Sequence, residues 1–326
     1  MKKKYFLNVP IMLVAVVALM FSSCKKETKN NGSTGANDAL VVASAVDATS
    51  QDADAVMGNA LTYVSNYNPA NNAGLAGSGD SSLAPLGFFR VDLCGSVYTD
   101  TSTATDHLRT ITYDGYTHCQ GIIRSGEVTI EHSNSIPWDQ AGGQLTVTYI
   151  NLKVTDVKTK DWYILNGTHL ITNETGGLAW KIIAQIVPSG TTVTHRHTSS
   201  NMTVTRSNGS TAAWSVDRTR SWNLTGQVIS ISVYGEARNS ITETGTDGNG
   251  NAFTDQISQV IKASNVCEWN PTQGNLIHAV AGGSTSNVLY GTTSTGSPST
   301  GACGQGYYIT TTTTSPSGTS SEFVGY

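Results

Sequence analysis

The sequence predicts a mainly β protein: a large antiparallel meander sheet, curled into an open barrel or folded as a sandwich, behind a short N-terminal helical segment. Three observations carry that expectation. Apolar residues alternate with polar ones in many short stretches, the period of a half-buried strand. Charged residues make up only 13% of the 326-residue chain, too few for long solvated helices or a coiled coil. Clusters of Gly, Asn and Asp interrupt the alternation at short intervals, as hairpin connections do.

Taken in order, residues 1–23 read as a lipoprotein signal peptide. Lys2, Lys3 and Lys4 precede an unbroken apolar run from Ile11 to Phe21, too short to cross a bilayer but suited to a secretory core. Ser22, Ser23 and Cys24 complete a lipobox, with Phe21 standing where Leu is more usual; cleavage would leave Cys24 as the lipidated first residue of the mature chain. Residues 24–37 form a polar tether, whose segment Lys25 to Asn37 has a flexible reach of roughly 20 Å. Residues 38–82 form a helical lead and loop. Leu40, Val41, Val42, Ala45 and Val46 make one apolar face, and Ser50 caps a second, with Asp52 and Asp54 near its positive end.

The antiparallel β domain is expected over residues 83–326. Val128 and Ile130 alternate with Glu127, Thr129 and Glu131; Leu145, Val147 and Tyr149 repeat the pattern, as do Ile229, Ile231 and Val233. Thr and Ser fill the outward positions, where a β-branched hydroxyl suits a wet pleated surface. Turns are expected at Asp114-Gly115, Thr159 to Asp161, Thr175 to Gly177, Ser207 to Gly209 and Gly245 to Asn251. They imply about ten to thirteen strands. The run from Tyr307 to Thr314, ahead of Pro316, reads as a final edge strand.

Apart from Cys24, the chain has Cys94, Cys119, Cys267 and Cys303, an even number suited to an oxidising compartment. Of the three possible pairings, Cys94 with Cys119 and Cys267 with Cys303 close the most modest loops. No C-x-x-C spacing favours zinc. The 19 basic and 23 acidic residues give a formal charge of −4, and loss of the signal lysines takes it to −7. Without a basic excess, nucleic acid is not an expected partner.

Several segments together resemble an uncharacterised β-rich lipoprotein family of the Bacteroidota. They are the lipobox, the helical lead, Cys94, RSGEVTI at Arg124 to Ile130, NGTHLITN at Asn166 to Asn173, VDRTRSW at Val216 to Trp222, and the late cysteine pair. The likeness runs over roughly residues 90 to 310 and departs at Gly304, where the family usually has an acidic residue. The resemblance implies a cell-envelope lipoprotein, and it brings no catalytic residues with it.

Motifs for a nucleophile elbow, a zinc-protease helix, a P-loop or a dinucleotide fold are absent. Glu127 and Glu131 share a strand face, but a four-residue spacing separates them by about 13 to 14 Å, beyond the separation of about 5 to 9.5 Å that glycosidase pairs use. His195 and His197 point the same way on a strand and could share an ion with His169 or Glu174; a polar edge strand accounts for them without a metal. Asp247, Asn249, Asn251 and Asp255 have calcium-loop spacing, yet Ala252 and Ser258 stand where Gly and a bidentate Glu belong, so a hairpin turn is the simpler account.

The first choice of binding surface is a stripe of Trp214, Arg218, Arg220 and Trp222 at one parity; the alternative is that Arg packs over Trp on the outer sheet face. The expected function is therefore a lipid-anchored outer-membrane protein with a non-enzymatic binding or structural role and no cofactor. Its expected partners are the membrane through Cys24 and an envelope protein or polysaccharide. Two alternatives accompany it: a carbohydrate-binding component of a nutrient-uptake system, using Trp138, Trp162, Trp180 or the arginine stripe, and a polysaccharide or peptide hydrolase with a site at strand ends.

Overall fold

The structure, a computed structural model, describes residues 96–326 apart from 102–107, 120–121, 133–134, 159, 238, 248 and 315–316. The signal peptide, Cys24, the tether, the helical lead and the Cys94–Cys119 pairing lie outside the described residues.

Among the described residues fourteen antiparallel strands form one sheet. They are β1 (Ser96–Asp100), β2 (Leu108–Cys119), β3 (Ile122–His132), β4 (Gln144–Asp156), β5 (Trp162–Asn173), β6 (Thr192–Arg206), β7 (Thr211–Thr225), β8 (Val228–Tyr234), β9 (Ile241–Thr246), β10 (Ala252–Ser264), β11 (Pro271–Val280), β12 (Ser284–Thr292), β13 (Gly306–Thr314) and β14 (Ser317–Gly325). From β1 to β8 and from β10 to β14 each strand pairs with its neighbour in sequence. Among the described residues the end strands β1 and β14 are not paired to each other, so this is an open sheet rather than a closed barrel.

One lane is broken. β7 pairs with β9 through Ala213 to Val216 and with β8 through Thr219 to Thr225, while β10 pairs with β9 through Ala252 to Gln256 and with β8 from Ile261 to Ser264. β8 and β9 thus share the lane between β7 and β10, and the chain leaves it at Gly235 to Ser240. Gly235 makes the exit tight: a Cβ there would meet Ser240 Oγ at 2.1 Å, so a larger residue needs the Ser240 side chain to turn away.

Alternation decides which face is buried. Val128 and Ile130 of β3, Leu145, Val147 and Tyr149 of β4, Leu165 and Ile171 of β5, and Met202 and Val204 of β6 belong to one core cluster, which Phe253 of β10 also joins. The opposite face carries half-buried Thr146, Thr148, Thr198 and Ser215.

Two expectations are corrected. Asp114-Gly115 is a bulge inside β2 rather than a turn: Asp114 Oδ1 accepts the backbone N–H groups of Tyr116 and Thr117, each at 2.9 Å, and pairing with β3 resumes at His118. The turn expected at Thr175 to Gly177 is present, and it leads into a short helix, α1 (Ala179–Ile183). The Tyr307 to Thr314 region is the penultimate lane, because β14 pairs along its full length from Gly306↔Gly325 to Thr314↔Ser317.

Cys267 and Cys303 form a disulfide with Cα atoms 5.4 Å apart, as their spacing predicts. It joins the short 3-10 turn Asn265–Cys267, after β10, to the connection between β12 and β13. Closing a loop across 36 residues contributes about 3 to 4 kcal/mol by restricting the unfolded chain.

At one end of the sheet, Asn173 fixes two connections at once. Its Nδ2 donates to the carbonyls of Trp138 and Gly177, both at 2.8 Å, and its Oδ1 accepts from Gly176 N at 2.9 Å. Its own N–H and C=O pair with Gly143 and Gly142. The result is a wholly buried amide with a partner for each donor and for the acceptor, which seats Trp138, Leu178 and Trp180 in the core. Replacing Asn173 with Ala strands these groups and is expected to cost about 3 kcal/mol. Urea unfolding checks it, and a loss below about 1 kcal/mol would show that the two connections hold themselves in place.

Candidate functional site

Polar and charged side chains enter the same buried face as the core. In β7, Ala212, Trp214, Val216, Arg218, Arg220, Trp222 and Leu224 share one parity, and all are buried. The arginine stripe therefore lies inside the molecule, not on an outer face: Trp214 is 3% exposed, Arg218 6%, Arg220 3% and Trp222 2%. The Arg-over-Trp stacking does form, with the Arg220 guanidinium 5.7 Å from the Trp222 ring centre.

The histidines join this stripe. β6 is a central strand between β5 and β7, so the polar-edge account of His195 and His197 is corrected. Register sets His195 opposite Arg220 and His197 opposite Arg218. His169 on β5 lies 5.1 Å from His197 between ring centres, and His195 lies 6.4 Å from His197. Trp138 and Trp222 each approach His195 at 4.8 Å. Arg196, at the alternate parity, lies on the other face and binds Asp217 with two bonds of 2.9 and 2.8 Å.

This buried face holds charge in pairs. Arg218 Nη1 donates to Glu243 Oε1 of β9 at 2.8 Å, both side chains being almost fully buried. Further along, His278 Nδ1 of β11 lies 2.7 Å from Asp255 Oδ1 of β10, and its ring packs near Phe253. Breaking either pair from one side would leave an uncompensated polar group in the interior.

The histidine cluster is held neutral. Burial, then the charges of Arg218 and Arg220, pushes the His169 pKa down to about 3; burial, then Arg220, does the same for His195. His197 is likewise held well below its ordinary value, by burial first and then by His169, Arg220, His195 and Arg218. Neither ring nitrogen of His195 or of His197 meets a hydrogen-bonding partner. Two cationic guanidinium groups beside neutral imidazoles disfavour a further cation, and among the described residues no three His, Cys, Asp or Glu side chains are arranged to hold a metal ion. Glu174 is exposed at the end of β5, away from the rings.

The remaining sequence candidates fall apart in space. Asp247 Oδ1 accepts from the N–H groups of Asn249 and Asn251, both at 2.9 Å, within the β9–β10 hairpin, while Asp255 is committed to His278. Trp138 and Trp180 are core residues, and Trp162 lies half-buried beneath the Lys153 ammonium at 4.5 Å. They form no exposed aromatic row.

Sequence reasoning missed a groove of about 760 Å³ beside the broken lane. Tyr234, Glu236 and Asn239 line one side, and Ser258, Gln259 and Asn275 the other. Arg196 holds Glu236 at 2.9 Å, which places the groove on the face opposite the histidines. The adjacent turn residues Gly235, Glu236 and Asn239 were the only sequence signal for it.

Comparison with protein families, with curated proteins and with solved structures finds no match for this chain.

Two outcomes test the cluster. The folded-state pKa values of His169, His195 and His197 lie below the value of about 6.5 for an unfolded chain, so below that pH the unfolded state binds more protons. Stability should be at its plateau above pH 6.5 and fall toward pH 3, by up to about 1.4 kcal/mol per pH unit for each ring. Denaturant melts from pH 8 to 4 check this, and a flat profile below pH 6.5 refutes it. His195→Phe keeps a ring between Trp138 and Trp222 and removes two unpartnered nitrogens. It should stabilise the fold by about 1 kcal/mol, and a thermal melt showing a loss instead would assign those nitrogens a polar task.

Proposed function

We propose that this protein is a lipid-anchored lipoprotein of the bacterial cell envelope, held at the outer membrane through Cys24, with a non-enzymatic binding role carried by its β sheet. The lipobox supports the anchor, and the resemblance to Bacteroidota envelope lipoproteins supports the address. The Cys267–Cys303 disulfide suits an oxidising compartment beyond the cytoplasm.

One observation carries the binding role. The Arg218–Glu243 ion pair and the Asp255–His278 hydrogen bond are withdrawn from solvent, while the groove offers the amides of Asn239, Gln259 and Asn275 and the Ser258 hydroxyl beside apolar Ile257 and Val260, with Glu236 tied to Arg196. Such amides and hydroxyls hold a ligand by hydrogen bonds without driving a proton transfer or a nucleophilic attack. An anchored chain with such a surface captures or displays a ligand at the membrane. A myristoyl-sized chain alone binds weakly, so the several acyl chains of a lipoprotein are what would make the attachment stable.

Metabolic labelling with palmitate tests the anchor. Wild-type chain should carry the label, and Cys24→Ala should lose it and leave the membrane fraction. Equal labelling of the two would overturn the proposal.

A further inference from the structure

We infer that the groove at the broken lane is a binding site for a neutral oligosaccharide; the inference deepens the binding role proposed above and rests on it. The break creates the site. Where β10 passes from β9 to β8, Ile257 to Val260 have no ladder partner in that lane among the described residues, and the register with β11 shifts twice around Gln259. A strand released from its lane exposes backbone polar groups and turns its side chains out of strict alternation. Ser258, Gln259 and Asn275 consequently converge on one hollow.

The chemistry of the lining selects the ligand. Asn275 is part of the lining, and its Oδ1 is buried without a hydrogen-bond partner, an acceptor that the protein itself leaves unmet. Ser258, Gln259 and Asn239 add groups that both donate and accept, as sugar hydroxyls do. Ile257, Val260 and the Tyr234 ring supply apolar surface for the C–H face of a pyranose. Among the described residues Glu236 is the one charged member of the lining, and Arg196 offsets it at 2.9 Å while also binding Asp217. A cationic ligand thus finds little net negative charge, and an acidic one finds a carboxylate. The volume of about 760 Å³ lies within the range of small-molecule sites and fits a short oligomer better than a single ring.

The groove is held open by the backbone of the excursion that lines it. Gly235 permits the tight exit from the lane. Ser240 N donates to Ala237 O at 3.0 Å, and Gln256 Nε2 donates to Asn239 O, which pins the far end of the excursion to β10. The site is therefore largely preformed, which lowers the ordering cost of binding.

A glycan array bearing neutral hexose and N-acetylhexosamine oligomers, together with uronate oligomers, tests the inference on the mature chain. Neutral oligomers should be retained and uronates should not. By titration calorimetry with a retained oligomer, Asn275→Ala should weaken binding about tenfold, and Glu236→Gln should change it by less than about threefold. Retention of uronates in preference, or abolition by Glu236→Gln, would overturn the neutral class. No retained oligomer, or unchanged affinity in both Asn275→Ala and Gln259→Ala, would overturn the site. Gln259 is exposed, so its variant decides the matter if Asn275→Ala fails to fold. Cys24→Ala should bind the oligomer like wild type, and its palmitate result stands or falls separately.

Discussion

The ion pair between Arg218 and Glu243 is the constraint on which the rest of the sheet turns. It sits where the lane beside β7 is interrupted, between the last backbone pairing with β9 at Val216 and the first with β8 at Thr219. A ladder that loses its main-chain bonds at such a point needs another tie, and here a buried, charge-assisted hydrogen bond supplies it. Because the pair is inside, Arg218 faces the core with its whole strand parity, which brings Arg220 and the cross-strand histidines into the interior too. The same interruption frees β10 on the other side and opens the groove. Interior charge and exterior hollow are two results of one missing stretch of strand.

A buried face of this kind is costly to assemble. Desolvating a guanidinium or carboxylate is repaid only when geometry and further hydrogen bonds are good. The chain meets that demand by pairing Arg218 with Glu243 and Asp255 with His278, by stacking Arg220 on Trp222, and by holding three imidazoles uncharged. The aromatic rings at Trp138 and Trp222 pack His195 on two sides, so the interior stays dense although many of its members are polar.

Much of this was legible in the sequence, and the rest failed for identifiable reasons. Leu145, Val147 and Tyr149 give their strand and its buried face directly, since every inward residue is apolar. In β7 the parity was equally plain, yet Arg218 and Arg220 carry a prior for solvent that their apolar neighbours Trp214, Val216 and Leu224 outweigh only once the sheet is assembled. The histidines of β6 misled for the same reason, since a central strand with polar inward residues has the composition of an edge. The Asp114-Gly115 dipeptide has the chemistry of a turn, and a bulge uses that chemistry without ending the strand. The groove left almost no trace, because Ser258 and Asn275 are separated in sequence and joined only by a shifted register.

The meander has a kinetic meaning as well. Almost every strand pairs with the one made just before it, so the sheet can grow by adding hairpins in order as the chain emerges, with small loop-closure cost at each step. The broken lane is the exception: β9 must return past Gly235 to Ser240 and settle against β7, a strand already paired with β8. Until it does, Arg218 lacks Glu243. β8 and the six-residue β9 each pair with β7 on one side and β10 on the other, so the two halves of the sheet are joined twice across one lane.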